Sequence, residues 1–198
     1  MKNQFLISLL LLLLGFVNVY AQGHGKIGIR VAGGISSLHD DVYKFSPIPA
    51  YAVGLILGDK DKPFSIRGEL AFESKGAYLD DIPEKLDMYY LSLHVLPQIK
   101  FKASYKHALM VGPYIACLTN RNVSKKLGQL PVPDSFSILD LGLTTAYKYQ
   151  FKTTAKYNFQ IDARFNYGFY NINPSTFGES KWTHNIVAQL GLNFVLNK

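Results

Sequence analysis

FSIRGELAFESKGA, residues 64–77, alternates with a period of two: Phe64, Ile66, Leu70 and Phe72 fall on one face of an extended strand, Ser65, Arg67, Glu69, Glu73 and Lys75 on the other. Which face turns inward decides the fold. A soluble sandwich or ligand-carrying barrel hides the apolar row and wets the charged one, whereas a barrel in lipid does the reverse.

Seven further stretches carry the same alternation, and no amphipathic helix interrupts them between Gly25 and Leu196. KIGIRVAGGISSL sets Ile27, Ile29, Val31 and Ile35 against Lys26, Arg30 and Ser36. AYAVGLILG and MYYLSLHVLPQIKF follow on either side of the opening stretch, the latter with Ser92, His94, Gln98 and Lys100 on its polar row. HALMVGPYIACL alternates least clearly, and ILDLGLTTAYKY opposes its leucines with Asp140, Gly142, Thr144 and Lys148. YNFQIDARFNYGFYNI is the most regular, with Asp162 and Arg164 on its polar row; HNIVAQLGLNFVLNK closes the series. The apolar rows hold no Asp, Glu, Lys or Arg, and the opposite rows hold both signs. Arg or Lys on a lipid face costs about 2–4 kcal/mol near the midplane, so this segregation is what lipid would select.

Three features point the apolar rows toward lipid. The rows are long enough for the roughly 9–11 residues of a tilted transmembrane strand. Aromatic residues gather near row ends, at Tyr51, Phe64, Phe72, Tyr89, Phe101, Tyr147, Tyr149, Tyr157 and Phe169, as two interfacial girdles require. The connections GDKDKP, KASYKH and QFKTTAK are tight and polar, whereas HDDVYKFSPIP, YLDDIPEKLD, residues 120–135 and NPSTFGESKW are longer. Short periplasmic turns and long outer loops are the asymmetry of an outer-membrane barrel, with both termini on the short-turn side. The expected fold is all-β: an eight-stranded antiparallel up-and-down transmembrane β-barrel. Its interior is only wide enough for side chains to fill, and small inward residues such as Gly28, Gly34, Gly54, Gly112, Gly142 and Gly168 make room for charged ones. A plugged lumen is expected, with Arg30, Arg67, Glu69, Glu73, Lys75, Asp140, Asp162 and Arg164 as its charge network.

The first 21 residues, with Lys2, a leucine-rich core and small or aliphatic Val19 and Ala21, form a secretory signal peptide, and residues 22–198 the barrel domain. An uncleaved helical anchor is the competing reading, weakened by Ser8, Gly15 and Asn18. A single cysteine, Cys117, forms no internal disulfide. The net charge of +7 comes from scattered Lys and Arg with no basic helix or run. With export, this argues against nucleic acid and for lumenal pairing plus attraction to anionic lipid.

The carboxyl end, Gln189-Leu-Gly191-Leu-Asn-Phe194-Val-Leu196, resembles the terminal β-signal of outer-membrane proteins. More broadly, GIRVAGGISSL, GELAFESKGA, VGPYIACL, LDLGLTTAYKY and IDARFNYGFYNI resemble, in order, the PorT-like small porin-family barrels of Bacteroidetes. His94 stands where a proline is common in that family, with Pro97 three residues later, which leaves the register of the fourth and fifth strands open. The resemblance implies an outer-membrane location and, as partners, outer-membrane lipid and lipopolysaccharide, the β-barrel assembly machinery, and envelope or secretion-system proteins. One branch is linked to type IX protein secretion.

Chemistry is not expected. The Arg and carboxylate residues of the polar rows read as structural pairs, because a narrow lumen must neutralise the charge it encloses. His39, Asp40 and Asp41 suggest a weak cation site only in a spacing that fits no ligand pattern, so no metal or cofactor is assigned. A lipid A-modifying enzyme would need a nucleophile and base within hydrogen-bond reach, and no pattern joins Ser74 to His184. A soluble lipocalin-like transport barrel would require the faces to be exchanged.

Overall fold

The computed structural model describes residues 25–41, 44–59, 62–79, 84–101, 106–124, 137–154, 156–172 and 182–196. The leader read over residues 1–21 lies outside them. Each alternating segment is a strand: β1 (Lys26–Asp40), β2 (Phe45–Asp59), β3 (Phe64–Leu79), β4 (Glu84–Lys100), β5 (His107–Ser124), β6 (Leu139–Thr153), β7 (Tyr157–Gly168) and β8 (Thr183–Leu196). Each pairs antiparallel with the next, and β8 closes on β1. Closure pairs the backbone polar groups between strands, the condition under which a sheet survives in hydrocarbon.

The faces divide as lipid requires. Leu190 and Leu192 on β8 are 64% and 62% exposed, whereas Arg30 and Arg67 are at 0%. The soluble transport barrel is thereby overturned, since it would place the aliphatic row inside. The outward aromatics form two belts. Phe72 stacks on Tyr89 at 5.9 Å between centroids near one end, and Phe159 packs against Phe194 at 5.3 Å near the other. On β7 the belts are marked by Tyr157 and Tyr167. Ten residues at about 3.3 Å each, tilted by roughly 40°, span ~25 Å, the height of an outer-membrane apolar band.

Two proline pairs shape the ladder. Pro47 and Pro49 have no N–H to donate, and the β2–β3 register shifts between Pro47 and Ala52. There Tyr51 N–H donates to Ser74 Oγ at 2.9 Å, and Ser36 Oγ reaches across β2 to Gly76 O at 2.9 Å. Gly76 holds φ +149°, and a Cβ on it would collide with Leu86 O. Pro97 and Pro113 lie in the stretch between the His94–Tyr114 and Gln98–Met110 pairs, where β4 and β5 stay in register. The fourth strand is thus uninterrupted against β3, and its one shift against β5 falls at Tyr89/Tyr90.

The connections differ from the expectation. HDDVYKFSPIP and YLDDIPEKLD are not long loops: β1 runs to Asp40 and β2 starts at Phe45, while β3 runs to Leu79 and β4 starts at Glu84. Leu79 pairs with Glu84, so the strands simply continue above the belt. The cause is visible on β4. Below Tyr89 the outward residues are Leu91, Leu93 and Val95 and the inward ones Ser92 and His94; above it Lys85 and Asp87 face outward while Leu86 and Met88 are buried. The polarity of the two faces exchanges without a change of fold, as expected where the solvent changes from lipid to water. Inside this upper collar Leu38, Ala77, Leu86, Met88 and Tyr90 pack into an apolar cluster with Ile172. Ile172 is carried in from the β7–β8 connection by hydrogen bonds with Ser137 and Thr183.

Candidate functional site

Among the described residues, polar and charged side chains concentrate in the lumen. It begins near the middle of the barrel with Arg30 on β1, whose Nη2 donates to Asp162 Oδ1 on β7 at 2.9 Å and whose Nε lies 3.1 Å from Asp162 Oδ2. Arg30 Nη1 donates to Gln189 Oε1 at 3.2 Å, and Asn193 Nδ2 to Asp162 Oδ2 at 2.7 Å. Opposite, Arg164 grips Glu69 with two parallel bonds of 2.9 and 2.8 Å, and Arg67 Nη2 donates to Glu69 at 3.0 Å and Asn193 at 2.8 Å. Such forked pairs join direction to charge. Period-two alternation aims each of these side chains inward from its own strand, and barrel closure brings β1, β3, β7 and β8 within reach of one another.

Toward the outer mouth a second network follows. Lys75 Nζ lies 2.9 Å from Asp140 Oδ2 and 3.5 Å from Glu73 Oε2, and over the Tyr114 ring at 4.4 Å. Asp140 also accepts from Asn185 Nδ2 at 2.9 Å and Tyr114 Oη at 3.2 Å. Glu73 accepts from Ser92 Oγ at 2.9 Å and lies 3.3 Å from His94 Nε2, while His94 Nδ1 shares a 2.9 Å hydrogen bond with Thr144 Oγ1. The lower network carries three guanidiniums on two carboxylates, the upper one ammonium on two carboxylates. Together they balance, which is the arrangement that limits the cost of burying ions.

Glycine provides the space. A Cβ on Gly191 would stand 2.7 Å from Arg30 Nε and 2.9 Å from Asp162 Oδ2, and one on Gly168 2.8 Å from Asp140 Oδ1. Gly191, read in the sequence as part of a terminal β-signal with Gln189, Phe194 and Leu196, therefore sits directly beneath the central ion pair. Gln189 also faces inward to Arg30, while Phe194 and Leu196 face outward. Below the networks Leu96, Met110 and Ala146 form a small apolar layer. Lys148 Nζ then donates to Gln98 Oε1 at 2.9 Å, and Gln98 Nε2 to Ser65 Oγ at 2.9 Å.

The structure brings all eight expected network residues into one interior. It does not join Ser74 to His184. They lie on β3 and β8, with β1 and β2 between, and His184 stacks on Trp182 at 5.9 Å. Asp40 takes a hydrogen bond from Thr183 Oγ1, and His39 pairs across the ladder with His184. Among the described residues no group of three His, Cys, Asp or Glu is placed to hold a metal. The sequence reading missed the apolar collar of Leu86, Met88 and Ile172. The inverted alternation of Glu84-Lys-Leu-Asp-Met-Tyr89 was its available signal.

Solved structures that resemble this one in shape include small outer-membrane barrels. Neisserial surface protein A (NspA) superposes with a TM-score of 0.54 at 13% identity, covering 87% of this chain and 97% of its own. The outer membrane protein OprG from Pseudomonas aeruginosa gives 0.50 at 12% identity, covering 89% and 99%. At such identities the likeness speaks for the fold. No curated protein matches the sequence. The family described as outer membrane protein beta-barrel domain matches residues 20–173, most of the chain. With its lipid-facing aliphatic wall and ion-paired interior, this chain belongs to that outer-membrane β-barrel family.

Proposed function

We propose that this outer-membrane protein is a closed barrel that neither conducts nor catalyses, and that it acts through the surface its strands raise above the membrane. The observation that supports this reading is what occupies the lumen at two levels: two salt-bridged networks lie in the middle, and the Leu38, Leu86, Met88 and Ile172 cluster packs toward the outer mouth. A permeating ion would have to part Arg164 from Glu69 and then cross an apolar constriction. Above the belt the outward row turns polar at Lys85, Asp87 and Asn120, a water-facing collar suited to envelope partners.

Recorded in planar bilayers, the refolded protein should give no steady unitary conductance; reproducible open steps at moderate voltage would contradict the closed lumen. Delivery to the membrane is assigned to the assembly machinery through the outward Phe194 and Leu196 of β8. Phe194→Ala should lower the amount of the form whose gel mobility changes on boiling in outer-membrane fractions, while purified protein still refolds in detergent. Unchanged levels in cells would remove Phe194 from that role.

A further inference from the structure

The net positive charge of the chain is not spread over the barrel. The two lumenal networks balance, and the outer end mixes Asp40, Asp41, Glu84 and Asp87 with Lys44, Lys85 and Arg121. The end that carries the three tight turns is different. Lys62, Lys106 and Lys156 are exposed there, one per turn, Lys26 opens β1, and Lys100 and Lys148 lie just inside the rim. Asp59, paired in register with Lys26, is the carboxylate that β2 brings to that end. The turn sequences GDKDKP and KASYKH add Lys60, Asp61 and Lys102 to the count.

We infer that this lysine ring binds the headgroups of anionic phospholipid in the periplasmic leaflet. Three observations select that occupant over a soluble acidic protein. The exposed lysines occupy all three turns and so encircle the barrel, whereas a docked protein would engage one side. Each stands beside an aromatic of the lower belt: Lys62 two residues before the exposed Phe64, Lys106 next to His107, whose ring meets Tyr149 at 4.9 Å, and Lys156 next to Tyr157. Belt aromatics lie at headgroup depth, so the ammonium groups meet phosphates there. The cations are lysines, compact point charges suited to a fluid layer of phosphodiesters, with no guanidinium fork for a fixed partner.

The sequence alone leaves the basicity open to lipopolysaccharide; the topology moves it to the opposite leaflet. The inference needs only the outer-membrane location and is independent of whether the lumen is closed.

The test places a reporter at the rim, Phe101→Trp with Trp182→Phe, in phosphatidylcholine vesicles containing a brominated lipid at equal fraction. Brominated phosphatidylglycerol should quench the reporter with an apparent affinity about threefold or more above brominated phosphatidylcholine, and ~1 M salt should abolish the difference. The combined Lys62→Gln, Lys106→Gln and Lys156→Gln variant should lose the preference, while Lys44→Gln with Lys85→Gln at the outer end should keep it. Gel mobility before boiling confirms that each variant is folded, and the salt series on the unaltered lysines carries the test if the triple variant does not refold. Equal quenching by the two lipids at low salt would overturn the inference. So would a preference that polyglutamate added to the medium displaces at low molar excess, which would assign the ring to a soluble acidic partner.

Discussion

Arg30 is the residue whose surroundings explain the largest number of others. Its guanidinium joins Asp162 on one side and Gln189 on the other, and Gly191 is small because this bridge passes over it. A charge buried at this depth is tolerable only while its partner remains. Asp162→Ala should therefore destabilise the refolded barrel by about 3–5 kcal/mol, read as a lower urea midpoint for loss of the fast-migrating form. A cost below about 1 kcal/mol would mean that water reaches Arg30 and that the pairing matters little. The eight network residues were legible because each carries charge on an otherwise apolar or small strand. Their pairing was not. Which carboxylate meets which cation depends on strand tilt and closure, so Arg30 on the first strand finds Asp162 on the seventh, 132 residues away.

At the scale of the element, β4 shows that one strand can obey two solvents in succession. Leu93 faces outward below Tyr89 and Asp87 faces outward above it, with the same inward and outward parity throughout. Leu93→Lys should cost about 2–4 kcal/mol, because it places an ammonium in the apolar band. Asp87→Lys, six residues up the same face, should change stability by no more than ~0.5 kcal/mol, as a water-facing substitution does. Chemical unfolding of the two variants in the same vesicles separates them; equal costs would mean that the membrane edge does not fall at Tyr89. The existence of all eight strands was readable from alternation, but their upper ends were not. Alternation in a single phase stops at Tyr89, so the reversal at Leu86 and Met88 reads as a loop until the barrel continues through it. Of the prolines, only 47 and 49 lie in a stretch read as a loop, and there the structure has a strand whose register against β3 shifts between Pro47 and Ala52; Pro97 and Pro113 lie within segments read as strands, where β4 and β5 stay in register.

For the whole molecule, the division of labour between faces is the claim on which everything else rests: aliphatic side chains on acyl chains, ions inside, lysines at one rim. Single spin labels placed along β8 in phosphatidylcholine vesicles test it most directly, because that strand alternates without a break from Thr183 to Leu196. Labels at Ile186, Ala188, Leu190, Leu192 and Phe194 should collide freely with dissolved oxygen and poorly with a water-soluble nickel chelate, while labels at Val187 and Val195 should be shielded from oxygen. Oxygen access that peaks at the odd positions, or chelate access along the whole strand, would contradict the account.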